Sequence, residues 1–297
     1  MGKKKDAKKS TKNKDAKKSD LSSLREELRV GEGFDLAAVD TRSTPGFSGD
    51  KQLAAQLMTD TADELDDLQE RLYANGRDGV GPSVLLIVQG MDTAGKGGIM
   101  RHVIGSVDPQ GVELTAFKAP TKEELAHPFL WRIRRALPQP GYIGVFDRSQ
   151  YEDVLIVRVH DLVPPSTWTR RYGQINAFEA GVVERGTAVI KVMLHISADE
   201  QKSRLQERLD RPDKHWKYNP GDVDERGYWD AYQESYQAAL DRTSTADAPW
   251  YVVPADRKWY ARLAVHQLLL DHLRDLDLQW PAATFDVDAE KARLAES

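Results

Sequence analysis

Ser83-Val84-Leu85-Leu86-Ile87-Val88 runs through Gln89 into Gly90-Met91-Asp92-Thr93-Ala94-Gly95-Lys96-Gly97-Gly98, and this junction decides the fold. The first run is apolar throughout its interior and too short for a typical helix, so it reads as a strand buried on both faces. The second matches G-x-x-x-x-G-K, with glycines spaced so that successive backbone N–H groups can curl around an anion. A helical pattern over 98–107 follows and adds its positive N-terminal end. Strand before, cradle between and helix after point to phosphate binding, against the blander reading of a glycine-rich helix entry with a capping aspartate. Gly90, Met91, Thr93, Ala94, Gly95, Gly97 and Gly98 are the candidate cradle residues. Lys96 is the candidate that neutralises a phosphoryl group in transfer. The Ser or Thr that usually follows this lysine and holds Mg²⁺ is Gly97 here, which leaves Asp92 as the candidate oxygen ligand.

Outward from the cradle, apolar runs recur at 142–146 and 188–196, with weaker strand candidates at 112–117 and 250–253. Helical spacing appears at 51–74, 122–137, 167–184, 199–209, 224–240 and 257–276. Strands alternating with helices predict a three-layer α/β domain around a mostly parallel sheet, the P-loop kinase arrangement, with ligands at the carboxyl ends of the strands. Most tryptophans are expected in the core.

The strand at 142–146 ends on Asp147-Arg148-Ser149. A carboxylate at a strand tip is where a second metal ligand belongs, and Arg148 offers a planar donor fork to phosphate oxygens. A plain surface ion pair is the alternative. Further on, Arg204, Arg208 and Arg211 fall on one helix face and lead into Pro212-Asp213-Lys214-His215-Trp216-Lys217, a basic stretch suited to a lid over phosphates. A solvated charged helix, with Glu200, Glu207, Asp210 and Asp213 as counter-charges, is the competing reading. Lys118, Lys122, Arg132, Arg134 and Arg135 form a third basic set. Arg132 and Arg135 share a face, Arg134 looks elsewhere, and together with the lid these cations can line a groove for an extended polyanion.

Composition bounds the rest. Among the 297 residues there is no cysteine, which excludes disulfides, thiolate metal sites and cysteine nucleophiles. The histidines show no metal-ligand spacing. No apolar stretch approaches the roughly 20 residues of a membrane span, and the N-terminus lacks a secretory h-region, so a cytoplasmic protein without a membrane partner is expected. Residues 1–20 carry nine lysines against three aspartates, a net +6 that leaves −11 on the remainder of a chain of −5. So acidic a body is not expected to bind nucleic acid. The expected organisation is a disordered Lys-rich tail at 1–20, an irregular lead-in at 21–50, a catalytic domain at 51–285 with its lid at about 204–224, and a polar C-terminal tail at 286–297.

The motifs in their order resemble the polyphosphate kinase 2 family: the cradle itself, Phe117-Lys118-Ala119-Pro120-Thr121, Phe129-Leu130-Trp131-Arg132, Phe146-Asp147-Arg148-Ser149-Gln150-Tyr151-Glu152, Lys214-His215-Trp216-Lys217, and the stretch from Ala248 to Trp259. The resemblance runs from about Gly33 to Leu276. It implies a thymidylate-kinase-like fold with a helical lid, and phosphoryl transfer between inorganic polyphosphate and nucleotides. Mg²⁺ is the implied cofactor, with Mn²⁺ as a substitute; the implied nucleotides are adenine nucleotides, with guanine nucleotides left open. By resemblance Asp92 and Asp147 hold metal, Lys96 and Arg148 contact phosphates, and Arg204, Arg208, Lys214 and Lys217 belong to the lid. Glu152 and the stretch Asp224–Trp229 look like the subgroup that accepts nucleoside monophosphates as well as diphosphates, although Asp147 and Gln150 stand where that subgroup often has Asn and His. Family analogy also implies a homo-oligomer. An ATP-dependent kinase of a small acceptor is the alternative function, and a non-catalytic phosphate-binding regulator a third.

Overall fold

The computed structural model describes residues 21–297, so the Lys-rich tail expected at 1–20 lies outside the described residues. Five strands, β1 (Ser83–Gly90), β2 (Val112–Ala116), β3 (Ile143–Asp147), β4 (Thr187–His195) and β5 (Trp250–Pro254), make one sheet in the order β2-β3-β1-β4-β5. All four ladders are parallel. β1 is central because it is apolar on both faces, and all eight of its residues are buried. Its side chains alternate: Val84, Leu86 and Val88 enter one core, whereas Leu85 and Ile87 enter the other.

The first core is covered by α1 (Leu24–Leu28), α2 (Lys51–Asp60), α3 (Ala62–Asn75), α4 (Lys96–His102) and, later in the chain, Lys258–Asp275. The second is covered mainly by α5 (Pro165–Val183) and α7 (Trp229–Thr243), with α6 (Ala198–Asp210) leading from β4 toward the lid. The helix Lys258–Asp275 is α8. These are the three layers of a P-loop kinase fold, with the carboxyl ends of all five strands on one edge.

Several expected elements differ in detail. The helix expected at 51–74 breaks at Thr61, whose hydroxyl binds Leu57 O and His266 Nε2. The helix expected at 122–137 becomes two short pieces, Lys122–Leu125 and Trp131–Arg135, because Pro128 between them cannot donate to a helical ladder. The lead-in at 21–50 contains α1 and buries Leu24, Leu28, Leu36 and Phe47. The C-terminal stretch winds into α9 (Val287–Ala295), capped by Asp286 and with no buried residue. Trp250 is fully buried and Trp168, Trp229 and Trp259 are half-buried against the two cores, whereas Trp216 and Trp280 are exposed.

Candidate active site

At the end of β1 the chain turns through backbone that side chains resist. Gly90 has φ 152°, and a Cβ there would lie 2.7 Å from Leu194 O. Gly95 has φ 117°, and Thr93 itself sits at φ 64°. A non-glycine residue in the left-handed region stores strain that neighbours must hold, as is common at functional turns. Here the neighbour is Arg204. Its guanidinium donates to Thr93 O (2.9 Å), Ala94 O (3.0 Å) and Asp256 O (3.1 Å), and to Glu200 at 2.8 Å. Gln201 Nε2 adds a bond to Asp92 O at 3.2 Å. Lys96 closes the turn by donating to Gly90 O at 2.7 Å.

Around Lys96 stand the other candidates. Parallel register sets Asp147 beside Val88, two residues before Gly90. Arg148, at φ 65°, reaches Asp92 Oδ1 at 3.1 Å. Burial, and then the Arg148 charge, push the Lys96 ammonium down from its ordinary value, while Asp92, Asp147 and Glu152 act against them. Burial pushes the Glu152 carboxyl up, opposed by Arg148 and Lys96. In the amide orientation that satisfies its neighbours, Gln89 donates to Glu152 Oε1 at 3.1 Å. The sequence signals at 90–98 and 147–152 therefore converge on one cluster. Asp92 and Asp147 offer it two carboxylates, hard oxygen donors of the kind that would suit a small divalent cation completed by phosphate and water.

Two cavities meet across this cluster and share Asp92. The first, of about 360 Å³, lies over Gly95–Gly98 and is walled by Arg204, Arg208, Lys214 and Lys217. Its wall also holds Arg101, Lys258 and Arg262, cations that the sequence reading missed, against only Asp92 and Glu207. A signal for them existed. Arg101 lies in the same short helix as Lys96, five residues on, and Lys258 and Arg262 open the helix that follows the carboxyl end of a strand. The second cavity, of about 250 Å³, is lined by Gly90, Met91, Arg148 and Glu152 with Tyr232 and Tyr236. Lys118 joins neither cavity: it is exposed beyond β2, and its carbonyl accepts from Arg132.

The stretch expected as a lid forms a 3-10 helix, Pro212–Lys217, followed by a short helix, Gly221–Glu225. Arg208 ties them to α6 by donating to Lys217 O (3.0 Å) and Asp222 (3.1 Å). Arg211, extended just past the end of α6, pairs with Asp213 and Glu207 and is absent from the cavity wall, so the helix face expected to carry all three arginines carries two.

A family model for polyphosphate kinase 2 matches residues 48–281, which include the cradle, the Asp147 turn and the lid. The chain belongs to the polyphosphate kinase 2 family. An AMP/ADP-polyphosphate phosphotransferase of Meiothermus ruber is 45% identical over 248 residues, covering 84% of this chain and 91% of that protein. An ADP-polyphosphate phosphotransferase of Rhodopseudomonas palustris is 43% identical over 272 residues, covering 87% and 92%. The crystal structure of polyphosphate kinase 2 from Arthrobacter aurescens TC1 superposes with a TM-score of 0.91 at 57% identity, covering 93% of this chain and 98% of that one. As a polyphosphate kinase 2 chain it carries the family's fold across most of its length.

Proposed function

We propose that the protein transfers phosphoryl groups between inorganic polyphosphate and adenine nucleotides, AMP and ADP alike, with Mg²⁺. The observation that carries this is the pair of cavities sharing Asp92, one walled by cations and the other by carboxylates and tyrosines. A chain of phosphates needs many cations and fits the first; a nucleotide fits the second, with its phosphate toward Arg148. Names of relatives from two organisms support the substrate pair.

The chemistry asks for positioning and charge neutralisation rather than for a base. A nucleotide's terminal phosphate is largely ionised at neutral pH, since its second pKa is about 6. Lys96 lines the first cavity beside the shared Asp92, where charge would develop on the phosphoryl group in flight. Arg148, drawn toward Asp92, presents its remaining N–H groups to the acceptor phosphate. Asp92 and Asp147 would hold Mg²⁺, which supplies additional neutralisation when bound. Glu152, held by Gln89, faces the nucleotide cavity and is the residue we assign to acceptor choice.

The test is a donor–acceptor assay with purified protein, Mg²⁺, long-chain polyphosphate and either AMP or ADP, the products being separated by chromatography. ADP from AMP and ATP from ADP is the expected result. Product from neither nucleotide, with ATP instead phosphorylating another acceptor, would overturn it.

A further inference from the structure

Between α5 and the short helix Trp131–Arg135 lies a larger groove, of about 990 Å³. Its lining includes Arg134, Arg170, Arg171 and Arg185 and no carboxylate. On a described body carrying a net charge near −11, such one-sided lining needs a reason. Arg171 is committed to Asp153 at 2.9 Å. The other three are exposed, and among the described residues none of them has an ion-pair partner. Arg134, which the sequence set apart from Arg132 and Arg135, lies over the Phe178 ring at 5.0 Å, which fixes the guanidinium without neutralising it.

The shape is that of a trench. Along α5 the lining residues follow one stripe, Arg170, Gln174, Ala177, Gly181 and then Arg185 just past the helix end. At 1.5 Å per residue the two end arginines lie about 20 Å apart along the axis. Ala177 and Gly181 leave the floor low between them, and Phe129 and Trp131 form part of the opposite wall. Cations at both ends and in the middle of a long shallow trench match a linear polyanion better than a compact one.

We propose that this groove is an anchoring site for the inorganic polyphosphate chain, separate from the cradle. The proposal rests on polyphosphate being the phosphoryl donor. Arg171 links the groove to the active site through Asp153, the neighbour of Glu152, so the anchor sits behind the turn that bears the acceptor residues. A chain held there keeps its reacting end at high effective concentration near the cradle, a gain open only to chains long enough to reach both.

The experiment compares wild type with an Arg134→Ala/Arg170→Ala/Arg185→Ala triple variant, whose exposed side chains make unfolding the least expected outcome; a melting curve checks this. Calorimetric titration with long-chain polyphosphate should show roughly tenfold weaker binding by the variant. In turnover assays KM for long chains should rise by about the same factor, with kcat, and KM for a short linear oligophosphate, unchanged. The wild-type KM for long chains should also climb more steeply with salt than the variant's. The corresponding triple lysine variant should keep most of the wild-type behaviour. Equal effects on long and short chains, unchanged binding, or a change in oligomeric state accompanying the loss would each overturn the anchor. A wild type that binds polyphosphate yet transfers nothing from it would instead overturn the proposed donor, and the titration would still report on the groove.

Discussion

The phosphate cradle and the lid wall the same cavity but are held in opposite ways. The cradle is fixed by buried groups: Lys96 on Gly90 O, and Arg204 on Thr93 O and Ala94 O, with Arg204 only 4% exposed. The lid stretch is held by a half-buried bond from Arg208 to Asp222 and by more exposed pairs, Arg211 on Asp213 and Lys214 at 3.9 Å from Glu207, that water and salt reach. Trp216 at its tip is 77% exposed. Buried charge-assisted hydrogen bonds keep donors in place before the substrate arrives, whereas exposed pairs are worth about 1 kcal/mol or less and exchange easily. A transferase of this kind needs both: fixed dipoles where charge develops, and movable cations that admit and release a long anion.

Apart from loss of Lys96 itself, the largest expected break in this comparison is Arg204→Ala. It strands several buried carbonyls and lets the strained Thr93 turn relax, so both stability and turnover should fall. We expect a melting temperature lower by several degrees and a loss of at least about tenfold in kcat. Arg208→Ala touches only the lid. Its expected effect is a rise of about fivefold in KM for polyphosphate with little change in melting temperature, measured by initial rates and calorimetry.

A smaller effect concerns three buried histidines. Burial pushes His195, His266 and His272 down to about 4 from 6.5. Each is held neutral in the fold, so its contribution is full above pH 6.5 and is lost as pH falls from there toward 4. Asp153, pushed up to about 6 by burial, works in the opposite sense, its contribution being present at low pH and lost as pH rises through 6. Comparing single variants separates the two. His266→Gln should lose less melting temperature than wild type between pH 7 and pH 5 (~1–3 kcal/mol of acid-labile stability removed). The smallest effect is expected of Gly97→Ser. A Cβ at Gly97 has nothing within 4 Å, so rates within about twofold of wild type should follow, and a large loss would mean that substrate fills that space.

The sequence made the cradle, the Asp147-Arg148 turn and the parallel sheet legible because each rests on local pattern: a buried run, spaced glycines, a carboxylate at a strand tip. What it obscured depends on tertiary partners. Arg204 looks like a lid cation in sequence, yet its donors are taken up by the cradle and by Ala255 and Asp256 after β5. The break at Thr61 depends on His266, 205 residues away in the chain. The arginine groove joins Arg134 to residues of α5, whose sequence reads only as an amphipathic helix. Lys118 shows the reverse failure, a correct position at the sheet edge without a place in either cavity.

The most direct test of the account is the turnover of ADP with polyphosphate and Mg²⁺ by Lys96→Ala beside wild type, with melting curves for both. A hundredfold or greater loss of ATP formation, with the melting temperature retained, is the predicted result. Equal turnover by the two proteins would contradict the assignment of phosphoryl transfer to the cradle.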